Sequence, residues 1–310
     1  MKDLLRFWYK KIYQKTNYDV HKALLMNGKI LSHLNSQKDT IKSLDEVEFQ
    51  VFSQRGEDGV IQYLISKMDI PNKIFVEFGV ETYTESNTRF LLINDNWSGL
   101  IIDGSEKNID FIKKDFIYWK YDITAKRSFI TKDNIDNLIS NYTDIKDIGL
   151  LSVDIDGNDY WVWEAINCIN PRIVVCEYNS AYGPEKKLTI PYKENFVRSR
   201  EHYSELYFGA SLAAFCDLAK RKGYQFVGTT SAGVNAYFVR NDLAGPFKCY
   251  TAKEGFNESA NRDSKTKDGK LSFLRHSERL KLIEDMLVFD IDKNETLKIR
   301  DAFKGNSLAE

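Results

Sequence analysis

One short apolar run, stopped by a single glycine, does most to limit what this chain can fold into. In Ile74-Phe-Val-Glu-Phe78 four of five residues are apolar, and Gly79 follows. The run lacks clean alternation, which fits a strand buried on both faces of a parallel sheet. Asn87 and Thr88 then open an apolar stretch with helical spacing through Phe90, Leu91 and Leu92. Glu77 is the residue out of place. A carboxylate near the carboxyl end of a buried strand is costly without a partner. In open α/β sheets that end of the strand is where ligands bind. The structural alternative is a glutamate paired with a lysine or capping a helix.

The same unit recurs along the chain. Gly99–Asp103 predicts a second strand, with a helix from about Asn108. Phe116–Asp122 predicts a third strand, Ile148–Asp154 a fourth and Arg172–Glu177 a fifth. Tyr207–Lys222 reads as a helix ended by Gly223. Tyr224–Thr230 and Asn235–Arg240 flank Ser231-Ala-Gly233 as a hairpin. Alternating βα units imply a parallel sheet with right-handed crossovers, to which the hairpin adds one antiparallel strand. The predicted class is α/β, Rossmann-like and doubly wound, with helical extensions at both ends. Residues 1–48 form the first extension, 49–245 the sheet domain, and 246–310 a polar, mobile loop (Asn257 to Lys270) with a docked helical tail.

In the first extension Asp19 is placed to cap a helix carrying Val20, Leu24, Leu31 and Leu34. Upstream, Lys2, Arg6, Lys10, Lys11 and Lys15 interleave with Phe7, Trp8, Ile12 and Tyr13. Such a helix either lies on a membrane surface or packs on the core or on a second subunit, as in a homo-oligomer. The balance of 44 basic against 45 acidic residues, a net charge of −1, points to neither nucleic acid nor an anionic membrane. Cysteines 168, 176, 216 and 249 form no CxxC pair, which speaks against a structural zinc site or a disulfide framework. No stretch reaches about 18 apolar residues, as a membrane span requires, and the N-terminus is too charged for a secretory signal. The expected location is the cytoplasm.

Chemistry is expected where the strands end in acids: Glu77, Asp103, Asp122, Asp154 and Glu177. Five acids at successive strand ends call for a polar ligand. Asp103, about 26 residues past Glu77, is suited to both hydroxyls of a ribose. Asp122 is suited to an adenine amino group. The helix start at Asn87 offers free N–H groups to a carboxylate or phosphate. The turn Glu77-Phe-Gly79-Val-Glu81-Thr-Tyr83 keeps one glycine where a pyrophosphate needs G-x-G-x-x-G. Its two carboxylates repel a pyrophosphate and favour a cation, which argues for S-adenosylmethionine over NAD.

At these residues the chain resembles the class I S-adenosylmethionine-dependent methyltransferases. It is more closely similar to the FkbM-type methyltransferases and their relatives in glycan-assembly loci. The similar stretches are Phe52-Ser-Gln-Arg-Gly-Glu-Asp-Gly59, Glu85-Ser-Asn-Thr88, Trp97-Ser-Gly-Leu-Ile-Ile-Asp-Gly104, Leu151-Ser-Val-Asp-Ile-Asp-Gly-Asn-Asp-Tyr160, Pro191-Tyr192 and Tyr207-Phe-Gly-Ala-Ser-Leu212. They span roughly residues 49–243. The resemblance implies a seven-stranded sheet, S-adenosylmethionine as donor, and an oxygen acceptor on a sugar or related polyol, such as a nucleotide sugar or surface glycan of capsule or lipopolysaccharide assembly. It also implies that Gln54 approaches the donor. The sequence departs from the pattern in the glycine-poor turn at Glu81 and Tyr83.

Methyl transfer asks the protein chiefly to align nucleophile, methyl and sulfur and to exclude water. An alcohol must also lose a proton. One device is a base, with Asp154, Asp156 and His202 as candidates. The other is a divalent cation, magnesium, calcium or manganese: Asp154, Glu177 and Asn179 are similar to the metal triad of catechol-type O-methyltransferases. Trp161 and Trp163 are either sugar-stacking platforms or core. Two rivals share the fold: an NAD(P)-type oxidoreductase, and a non-catalytic donor-binding subunit of a glycan-assembly complex.

Overall fold

The computed structural model describes the backbone of residues 2–304 and the side chains of residues 19–275 and 277–304. The parallel strands are β1 (Ile74–Phe78), β2 (Ser98–Asp103), β3 (Ile123–Arg127), β4 (Leu150–Val153) and β5 (Ile173–Glu177). A two-residue strand, β6 (Leu188–Thr189), lies apart. The hairpin is β7 (Tyr224–Thr229) and β8 (Asn235–Arg240). The seven-stranded sheet has the order β3-β2-β1-β4-β5-β8-β7, with β8 antiparallel to both neighbours. The doubly wound, mostly parallel sheet expected from the sequence is what forms.

Each face of the sheet carries its own core. Phe75, Ile101, Leu150 and Ile173 pack against the apolar sides of α2 (Glu57–Ser66), after the long α1 (Lys2–Ser36), and of α3 (Arg89–Asp95), α4 (Glu106–Lys114) and α5 (Phe116–Lys120). Val76, Phe78, Ile102 and Val174 face α6 (Ile135–Ser140), α7 (Asp159–Ala165) and, beyond the short α8 (Arg198–Glu201), α9 (Leu212–Lys222). Trp163 is buried in this second core, and Trp161 is half-buried with Nε1 donating to Ile190 O. Cys176 is a buried free thiol, and the other three cysteines are free as well.

Several expectations need correction. Phe116–Lys120 is a helix, not the third strand. Asp115 caps it by accepting the Ile117 N–H, and its residues turn one apolar side, Ile117, inward. The strand begins after Tyr121 and Asp122 and runs Ile-Thr-Ala-Lys-Arg over 123–127, at the sheet edge, where charged side chains are favoured. The helix predicted from Tyr207 starts at Leu212, because Ser211 caps it and Ala210 bridges Thr189 as extended chain. Asp19 lies inside α1 rather than at its start, and Val20, Leu24, Leu31 and Leu34 are exposed. The helix reaches the body elsewhere: a Cβ at Gly28 would strike Val51 and Phe90, and Asn35 Nδ2 donates to Val47 O. The side chains of residues 2–18, including the basic positions named above, lie outside the described residues.

The C-terminal tail is only partly helical. After α10 (His276–Leu282) come β9 (Leu287–Asp290), β10 (Glu295–Lys298) and α11 (Ile299–Ala302). β9 pairs with β6, making a second, three-stranded sheet. Leu280, Ile283, Val288 and Ile299 join Tyr182, Leu188, Phe196 and Phe208 in a third core. This core roofs the carboxyl edge of the main sheet. Residues 257–270, expected to be a mobile loop, are tied to it: Ala260 N donates to Ala232 O and Lys265 N to Ser204 O. Among the described residues, no helix is long and apolar enough to cross a membrane.

Candidate active site

Two adjoining cavities of about 320 and 300 Å³ lie at the carboxyl ends of the strands and share Gly79, Glu81, Asp154 and Asp156. Gly79 is where they meet. Its φ is +69°, and a Cβ there would stand 1.7 Å from Asp154 O, so only glycine fits. The missing glycines of the turn are replaced by Glu81 (φ 47°) and Tyr83 (φ 58°), both left-handed. Such strain persists only where surroundings over-determine it. Asp103 Oδ2 accepts the Glu81 N–H at 2.9 Å, and Arg89 Nη1 donates to Tyr83 O at 2.6 Å.

Asp103 lines the second cavity. Its Oδ1 accepts from Ser105 N (2.7 Å) and Asn108 Nδ2 (3.1 Å), which fixes the carboxylate at the cavity wall. Ser128, Phe129 and Ile130, the residues that follow β3, form another wall, with Phe196. Sequence reading missed them because it misplaced β3. For the same reason Asp122 stands at the amino end of β3, where its carbonyl accepts from Gly99 N. That is the opposite edge of the sheet, and the adenine role does not hold.

Glu77 does not line either cavity. It shares a face with Phe75 and caps α3: Oε1 accepts Asn87 N (2.8 Å), and Oε2 accepts Thr88 N (3.1 Å) and the Thr88 hydroxyl. Burial pushes its carboxyl up to about 7 against the pull of those bonds. The N–H groups expected to be free at Asn87 are therefore spent on Glu77. The Asn87 side chain remains at the cleft wall, donating to Ser152 Oγ. Gln54 also lines the first cavity.

Asp154 and Glu177 stand at the floor of the first cavity. Burial and neighbouring carboxylates drive both well above the usual range: Asp156 and Asp159 for Asp154, Asp154 and Asp156 for Glu177. Glu177 Oε2 is buried with no donor aimed at it. Asp156, at φ 55°, is exposed and ion-paired with Arg198. Asp159 holds the loop between them, accepting from Ile155 N (2.7 Å) and Gly157 N (2.8 Å).

One oxygen each from Asp154, Asp156 and Glu177 lies within 4.8 Å of the others, a hard-donor set that fits a divalent cation. Asn179 is not the third member. Its Oδ1 accepts Ala181 N, and its Nδ2 donates to Leu206 O and Phe208 O, so the amide serves the loop. His202 also stands outside both cavities. Its Nδ1 is hydrogen-bonded to Ser204 Oγ at 2.7 Å.

Three groups had no sequence signal. Arg198, from α8, sits over the Phe208 ring at 3.8 Å. Asp263 and Arg279 come from the C-terminal tail and line the first cavity.

No protein-family model matches the chain, and no curated protein sequence does. Solved structures with a similar course include the N-terminal domain of EvdMO1 with SAH bound (11% identity, 54% of this chain and 72% of that one, TM-score 0.34). Another is an S-adenosylmethionine-dependent methyltransferase from Clostridium acetobutylicum (10%, 59% and 90%, TM-score 0.37). A third is the O-methyltransferase from Bacillus cereus in complex with SAH (12%, 54% and 74%, TM-score 0.33).

Proposed function

We propose that this chain is an S-adenosylmethionine-dependent O-methyltransferase acting on a sugar hydroxyl. One observation carries the choice of donor. The helix start that would cradle a pyrophosphate has its N–H groups capped by Glu77, and Glu81 occupies the turn beside it. A dinucleotide would meet the Glu81 carboxylate there and find the Asn87 and Thr88 N–H groups already taken. A sulfonium and an ammonium meet carboxylates, which attract them. This disfavours the NAD(P)-type rival.

The donor's adenosine suits the second cavity, its ribose against Asp103 and its base between the apolar walls of Phe129 and Ile130. Its amino-acid end suits the first cavity near Gln54 and Asn87. The acceptor lies over Asp154 and Glu177. Their raised proton affinity suits one of them to take the hydroxyl proton as the methyl is transferred. A magnesium or manganese ion, if part of the enzyme, would be held by Asp154, Asp156 and Glu177 and would acidify the acceptor hydroxyl. Ser180, Ser259 and Asn261 give the acceptor side a hydrogen-bonding wall, which supports a polyol over an apolar substrate. Exposed Val20, Met26, Ile30 and Leu34 on α1 support a contact with a second subunit or a membrane surface.

The test is to incubate the chain with S-adenosylmethionine and a panel of nucleotide sugars, with and without EDTA, and weigh the products. Gain of one methyl supports the proposal and excludes a merely donor-binding subunit. Loss of activity on chelation assigns the metal role. Tight binding of NAD, with none of S-adenosylmethionine, refutes it.

A further inference from the structure

We infer that the acceptor carries an oxyanion, a carboxylate or a phosphate, and that Arg279 of the C-terminal tail holds it. This rests on the methyl-transfer proposal. Arg279 is only 5% exposed, yet it lines the same cavity as Asp154 and Glu177. Its Nη1 is buried and has no hydrogen-bond partner. A buried guanidinium with an unused N–H is costly unless a ligand meets it.

The placement is built rather than incidental. Leu280, next to it on α10, and Ile283, just past the helix end, are anchored in the third core, so the arginine is turned to the cleft by residues that cannot move without exposing apolar surface. Arg198 offers a contrast. It is already paired with Asp156, donates Nε to Glu205 O at 2.6 Å and lies on Phe208. Burial holds the Arg279 guanidinium below its ordinary value, while Asp263 and Glu258 nearby pull the other way and favour its charged form. A guanidinium fork matches carboxylate and phosphate geometry and discriminates against neutral hydroxyls. The acceptor class is therefore a sugar acid or a phosphorylated sugar.

The experiment is calorimetric. The full chain is first titrated with S-adenosylhomocysteine, and the saturated protein then with glucose, glucuronate and glucose 1-phosphate. At least one anion is expected to bind about tenfold tighter than glucose, as a charge-assisted pair would give. Which anion wins separates carboxylate from phosphate. Arg279→Gln should lose that preference about tenfold while S-adenosylhomocysteine binding stays within about twofold. Arg279→Lys, which keeps the charge without the fork, should fall between and serves if Arg279→Gln does not fold. Equal binding of glucose, undetectable binding of both anions, or unchanged anion binding by Arg279→Gln overturns the inference. So does a loss of S-adenosylhomocysteine affinity in Arg279→Gln, which would assign the arginine to the donor's carboxylate. Failure of the methyl-transfer proposal shows separately, as no S-adenosylhomocysteine binding by the wild-type chain.

Discussion

Asp103, at the end of β2, accepts the backbone N–H of Glu81, in the turn after β1, at 2.9 Å. One carboxylate thus fixes two loops that bound the same cavity, and it does so while holding Glu81 in a left-handed conformation. Asp103→Asn turns one acceptor into an amide N–H₂ facing another donor. The expected result is a fall of at least about tenfold in S-adenosylhomocysteine affinity by calorimetry, the scale of one charge-assisted hydrogen bond. Unchanged affinity would mean that the ribose lies elsewhere.

Gly79→Ala tests the junction of the cavities. The new methyl meets Asp154 O, and alanine is strained at φ +69°. Urea denaturation should show a loss of about 1–3 kcal/mol from the backbone strain alone, with more from the clash. Donor binding should fail with it. A stable variant that binds the donor normally would disprove the close approach of the two loops.

The buried acids set a pH dependence. Glu77 rises from 4.5 unfolded to about 7 folded, and Asp58 and Asp159 from 3.8 to about 6. A raised folded pKa means that the folded chain keeps a proton the unfolded chain releases. The stability present below pH 4.5 is therefore lost as pH rises toward 7, by about 3 kcal/mol for Glu77 alone. Asp147, Asp217 and Asp242 are shifted down, so their contribution is already complete above their unfolded value of 3.8. The urea midpoint should be higher at pH 5 than at pH 7.5, and Glu77→Gln should flatten the difference. A wild-type midpoint that rises over this range contradicts the assignment.

In the proposed reaction Asp154→Asn should lower kcat by about 10²–10⁴, the usual worth of a positioned base, with donor affinity held within about threefold on the same affinity scale. His202→Asn and Asp122→Asn should leave kcat within about twofold, since neither lines the cleft. Steady-state rates on whichever sugar accepts the methyl decide all three. An inactive His202→Asn would restore the histidine as base.

How much of this could be read from the chain follows from burial. Strands β1, β4 and β5 are covered on both faces, so their residues form plain apolar runs with an acid or a polar turn at the exit. Strand β3 lies at the edge and carries Lys126 and Arg127, so an aromatic helix beside it looked more like a strand than it did. Asp122 and Phe129 exchanged roles with that one shift. Glu77 was legible as an odd residue, but its partner was not, because a cap ten residues away leaves no local pattern. Arg279 had no signal at all. Its meaning comes from a fold that returns the tail to a cleft built by the earlier strands.

Among the described residues, 276–302 meets the rest of the main chain through few bonds: β6 and β9 share two register pairs, Leu188 with Asp290 and Thr189 with Phe289, and Ile291 N donates to Lys187 O. Its grip is side-chain oil rather than lattice. Apolar contacts weaken on chilling, and units with few backbone ties open before the whole molecule does. Amide exchange should therefore be faster in 276–302 than in the central strands, and the gap should widen near freezing, making cold a handle that unlatches substrate access while the donor half stays closed.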